Sequence, residues 1–203
     1  MTNSVADLIR RHGQDSVAAE DELVRRLLSS AAHDDTEAEI LSLLGSNEVD
    51  WQLALTALVR AHDTAASPRL LAVLKATRDS EVRDSVAVTL GHLGDAAAEE
   101  SIANLAATAV EEGRPQSLRL VGALAQLNTA AAVDLAAKWL ASKRSIVFSR
   151  EETALQPLLS WLWEGDPAAV ADLTTALVRD PQWPMDRWSA VLERWAARTH
   201  RRG

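Results

Sequence analysis

Apolar residues recur at helical spacing in nearly every segment of this chain, and the breaks between segments carry helix stop and start chemistry instead of strand-like alternation. The pattern predicts helices near 4 to 12, 17 to 30, 35 to 44, 48 to 62, 68 to 77, 81 to 93, 96 to 112, 115 to 127, 130 to 142, 150 to 163, 167 to 179 and 184 to 200. Gly45, Gly94, Gly113 and Gly165 each follow an apolar run, where a residue with positive φ can end a helix. Ser67-Pro68 and Asp166-Pro167 place a cap before a first-turn proline, and Ser149 with Glu152 has capping-box spacing. Connections of a few residues make successive helices antiparallel neighbours.

The pattern also repeats. Matching Asp95 to Asp63, an offset of 32, superposes Val86 on Ala54, Leu90 on Leu58 and Ile102 on Leu70. Matching Leu90 to Leu124, an offset of 34, superposes Val86 on Leu120 and Leu93 on Leu127. The segment Asp79-Ser-Glu-Val-Arg-Asp-Ser-Val-Ala-Val-Thr-Leu-Gly-His-Leu-Gly-Asp95 resembles the second helix and following turn of a HEAT repeat, over about residues 49 to 140. The resemblance implies an all-α, right-handed α-solenoid of about five antiparallel pairs, at 35 to 62, 68 to 93, 96 to 127, 130 to 163 and 167 to 200. Within a single domain of 1 to 203, residues 1 to 34 would cap the stack, 35 to 142 form its regular part, and 143 to 203 an irregular Trp- and Arg-rich end. It further implies that Arg83 pairs with Asp79. Pro157 departs from the pattern and predicts a kink within 150 to 163.

Composition narrows the chemistry. Only 4% of the chain is aromatic, so the core is built mainly from Ala, Leu and Val. The absence of cysteine removes disulfides, thiolate nucleophiles and Cys-ligated metals. No segment approaches the ~18 apolar residues of a membrane span, and Met1 to Gly13 lacks the apolar core of a signal peptide, so the expected location is cytoplasmic. Net charge is −8 and uneven: residues 1 to 101 hold 9 basic and 18 acidic side chains, residues 102 to 203 hold 12 and 11. An acidic front half repels a phosphate backbone.

The pairs His33-Asp34 and His62-Asp63 invite comparison with HEAT-type deoxyhypusine hydroxylases, which ligate iron with His-Glu pairs. Here the acid is Asp, and a spacing of 29 differs from the repeat, so the pairs do not occupy equivalent sites. His33, His62 and His92 are placed instead near helix C-termini, where the helix dipole favours a partly positive ring. No Gly-x-Ser-x-Gly elbow or phosphate-binding glycine loop exists. A similarity to HEAT-like phycobilin lyases around Leu90 to Asp95 concerns the scaffold alone. The expected catalytic, cofactor and metal residues are therefore none.

Tryptophan placement stands out: Trp139, Trp161, Trp163, Trp183, Trp188 and Trp195 lie in the last third, with only Trp51 before them. On the last helix Trp188, Val191, Leu192 and Trp195 share one face while Arg187, Arg194, Arg198 and Arg201 follow another. That arrangement suits a solenoid end cap, or a binding patch in which Trp and Arg supply hot spots. The expected function is a non-enzymatic protein interaction module: an adaptor, assembly factor or toxin-neutralising scaffold. Its partner would contact Trp161, Trp163, Trp183, Trp188, Arg194 and Arg198, with Arg119 and Trp51 on the concave helices. The alternatives are a nucleic-acid-binding, DNA-glycosylase-like HEAT protein, and a HEAT-type lyase or metal-dependent hydroxylase.

Overall fold

The computed structural model describes residues 4–11, 16–114, 117–127, 129, 131 and 135. Among these the chain is all-helical, with eight α-helices and no strand. They are α1 (Val5–Arg11), α2 (Ser16–Leu27), α3 (His33–Ser42), α4 (Trp51–Arg60), α5 (Ser67–Ala76), α6 (Ser80–Leu93), α7 (Glu99–Glu111) and α8 (Ser117–Gln126). Short 3-10 turns, Thr64–Ala66 and Ala96–Ala98, lead directly into α5 and α7. All eight match helices expected from periodicity to within about three residues. The expectations for the kink at Pro157, for Ser149 with Glu152 and for every helix beyond 142 lie outside the described residues. No helix among the described residues is long and apolar enough to cross a membrane.

The chain divides into two compact units, Met1–Ala98 and Glu99–Gly203. In the first, α2 packs on α4 and α4 on α6, so these three helices form a row. Helix α1 lies against α2 and α3, α3 against α2 and α4, and α5 against α6. The N-terminal helices are thus part of the packed body. In the second unit, α7 packs on α8 and buries Ile102, Ala106 and Ala109 on one side, Leu120, Val121 and Leu124 on the other.

Local chemistry explains where the helices begin and end. Asp79 caps α6, its carboxylate accepting from the backbone N–H of Glu81 at 2.8 Å and of Val82 at 3.1 Å. Asp50 caps α4 by accepting from Leu53 N–H. The expected pairing of Asp79 with Arg83 is replaced by this backbone capping. Ser67, expected to cap α5, is instead its first residue, with a buried hydroxyl, because the turn Thr64–Ala66 runs straight into the helix. Glu22 grips both Arg25, at 2.6 Å, and Arg26, at 2.9 Å, and these hydrogen bonds hold its carboxyl down at about 2.

The offset of 32 has a structural counterpart. Leu58 and Leu90, Ala54 and Val86, Ala66 and Ala98, and Leu70 and Ile102 are four pairs of fully buried residues. Asp63 N–H donates to Leu58 O at 3.0 Å, and Asp95 N–H donates to Leu90 O at 3.1 Å. Each bond closes the turn after its helix. Position 94 is a left-handed Gly with φ 76°, and position 62 is a histidine with φ 50°, a conformation that costs a non-glycine residue about 1–2 kcal/mol.

Gly45 is constrained twice, by a φ of 79° and by Val82 Cγ2, which would lie 3.1 Å from an added Cβ. Gly45→Ala is expected to lower unfolding free energy by about 1–3 kcal/mol. Chemical denaturation would report this as a lower midpoint with an unchanged slope.

Candidate functional site

A polar constellation joins the start of α3 to the turn after α4. Helix α3 begins at His33 behind Ala32, which has no side-chain oxygen to cap it. Glu37 follows four residues later and therefore stands on the same face as His33. From the other side, the left-handed His62 turns the chain so that Asp63 points back toward α3. His33 Nε2 lies 3.0 Å from Asp63 Oδ2, and His33 Nδ1 lies 3.0 Å from Asp34 Oδ1. Arg69 Nη1 approaches Glu37 Oε1 at 3.3 Å. Glu37 is only 3% exposed and Asp63 7%, whereas Asp34 is almost fully solvated.

Asp63 differs from Asp95, which lies 32 residues further on. Asp95 uses its carboxylate locally, accepting from Ala97 N–H at 3.0 Å at the start of the second 3-10 turn. Asp63 stands at the same place before the first 3-10 turn but makes no such cap, and its carboxylate reaches across to the His33 ring.

Hydrogen bonds that the ring donates to Asp34 and then to Asp63 hold the His33 pKa above its usual value, against the desolvation that opposes the charged ring. Attraction to Asp63 and Glu37 adds to this. The charged ring donates from both nitrogens, which matches an acceptor on each side. The helix dipole works against it, because His33 opens α3 instead of closing a helix as expected from sequence. His62 and His92 do fall at helix C-terminal ends, just after α4 and in the last turn of α6.

A spacing of 29, unlike the offsets of 32 and 34, separates the two His-Asp pairs in sequence. They meet directly instead, His33 of one with Asp63 of the other, since the start of α3 lies beside the end of α4. One ligand atom from each of His33, Glu37 and Asp63 falls within 4.8 Å of the others, so these three residues could hold a cation. The i, i+4 spacing of His33 and Glu37 was legible; the reach of Asp63 was not.

Of the residues expected to contact a partner, Trp51 is in the core, 7% exposed at the first position of α4. Periodicity accounts for this, because Trp51 stands on the same face as Leu55 and Leu58. Arg119 is exposed on α8. Trp161, Trp163, Trp183, Trp188, Arg194 and Arg198 lie outside the described residues. Val17 and Leu28 are large apolar side chains left exposed, at 63% and 69%.

Compared with protein-family models, with curated proteins and with solved structures, the chain matches none.

The raised His33 pKa has a definite sign. Its contribution to stability is complete below the unfolded-state value of 6.5 and is lost as pH rises through the higher folded-state value. In chelator-treated protein, the stability difference between wild type and His33→Gln should therefore shrink as pH is raised above 6.5. Urea midpoints across that range check this; a difference that stays constant or grows would contradict it.

Proposed function

We propose that this chain is a non-enzymatic helical-repeat module that holds a partner protein. Support comes chiefly from the row formed by α2, α4 and α6 together with the correspondence of buried positions and turn hydrogen bonds at an offset of 32. In this reading the helices stack as HEAT-like pairs in a right-handed α-solenoid, and the second helix of each pair lines a concave surface. A surface held by packed helices is ordered before the partner arrives, which limits the entropic cost of association.

The described side chains favour packing and capping over turnover. Asp50, Asp79 and Asp95 cap backbone groups, and Arg10, Arg25 and Arg60 are held in surface ion pairs. The acidic balance of −8 disfavours an extended phosphate backbone and suits a partner with basic or neutral surface. The module is proposed to work in the cytoplasm, with Arg119 and the Trp- and Arg-rich end as its contacts.

Affinity purification from the native host tests this reading, comparing wild type with Arg119→Glu and with the pair Arg194→Glu, Arg198→Glu. A stoichiometric protein partner is expected with wild type, and at least a tenfold loss with one of the variants, as for a hot-spot arginine. Unchanged recovery in both variants would remove these residues from the interface. A salt-sensitive shift of single-stranded DNA, with no protein recovered, would favour the nucleic-acid alternative.

A further inference from the structure

The geometry points to a binding site for one first-row divalent transition metal ion, held by His33 Nε2 and the carboxylates of Glu37 and Asp63. Three observations carry this independently of the interaction reading above. The three candidate ligand atoms already lie within 4.8 Å of one another. Ligands at about 2.1 Å from one ion are about 3.4 Å apart at tetrahedral angles, so side-chain rotations alone would close the remaining gap. His33 and Asp63 are already at 3.0 Å.

Glu37 supplies the second observation. It is 3% exposed, and its Oε1 is buried without a hydrogen-bond donor. A buried carboxylate oxygen left in this state costs free energy unless a cation compensates it. Arg69 does so only in part, through a 3.3 Å ion-pair contact from a side chain that is itself 57% exposed and can withdraw into solvent.

The third is orientation. Asp34 holds His33 Nδ1, which leaves Nε2 as the nitrogen facing Asp63. A carboxylate on the far side of a histidine ring is the usual support for a metal-bound imidazole, because it fixes the ring and raises its basicity.

Charge balance agrees. In the metal-free site the two buried carboxylates are met by the His33 ring, which donates from both nitrogens when charged, and by Arg69. A divalent ion replaces both: the His33 Nε2 proton passes to water, the freed lone pair coordinates the ion, and Arg69 is released. One nitrogen and two carboxylate oxygens suit zinc, manganese or ferrous iron better than magnesium, which favours oxygen ligands and retains its waters.

Purified full-length protein, treated with chelator and titrated with zinc chloride by calorimetry, tests the site, with metal content measured after gel filtration. One equivalent per chain is expected for wild type. Glu37→Gln and Asp63→Asn should weaken binding by about 100-fold or more while keeping the helical circular dichroism of the wild type. Asp34→Asn, at a solvated position, should weaken it about tenfold. Arg69→Gln should tighten it, an outcome that a purely structural ion-pair cluster does not produce. Absence of stoichiometric zinc or manganese in folded wild type would overturn the proposal. So would wild-type affinity in folded Glu37→Gln and Asp63→Asn, or magnesium binding tighter than zinc. Should both buried variants unfold, unchanged affinity in Asp34→Asn and Arg69→Gln would overturn it.

Discussion

Helix α4 cannot be satisfied by a single neighbour, and the first unit is arranged around that fact. Trp51, Ala54, Leu55, Ala57 and Leu58 are all buried, and at 100° per residue they span about 160° of the helix surface. A stripe facing one partner is closer to 100° wide. Covering the full arc takes a helix on each side, and α2 and α6 provide them. Each buried Leu contributes about 1.5–3 kcal/mol, so leaving either side open would remove a sizeable part of the unit's stability. The same demand continues into α6, where Val82 and every residue from Asp84 to Gly91 are buried. Many of these side chains are small, and Thr89 satisfies its hydroxyl within the helix by donating to Ser85 O.

The constellation at the start of α3 depends on this packing. Because α4 is clamped between α2 and α6, the turn that follows it is fixed, and Asp63 is presented in one place. Helix α3 meets that carboxylate with an N-terminus that has no side-chain cap. Its own first turn carries Asp34 and Asp35, which complement the dipole but remain exposed. The His33 ring therefore works as a tether between a rigid turn and an otherwise loosely terminated helix.

Much of the helix pattern was legible because it rests on local signals: apolar spacing, glycines at φ 65–79° and aspartates ahead of first turns. The 32-residue correspondence was legible for the same reason, since Asp63 and Asp95 mark equivalent turns. Two kinds of information were not. Periodicity puts Trp51 on the apolar face of α4, but the width of the arc that is covered depends on neighbours on both sides, which no single helix discloses. The meeting of His33 with Asp63 depends on where α3 begins. Sequence placed that start at 35, two residues late, and so put His33 behind the helix instead of at its head. Spacing along the chain also says nothing of residues such as His33 and Asp63, which touch at a separation that matches neither the 32 nor the 34 offset.

The turns after α4 and α6 are closed by main-chain hydrogen bonds, Asp63 N–H to Leu58 O and Asp95 N–H to Leu90 O, that need no particular side chain. The carboxylate at this position is therefore free to change employment without dismantling the joint. At position 95 it stays at home and caps the next turn; at position 63 it reaches across to a neighbouring helix. A joint closed by its main chain leaves the carboxylate beside it open to new chemistry while the fold is left alone.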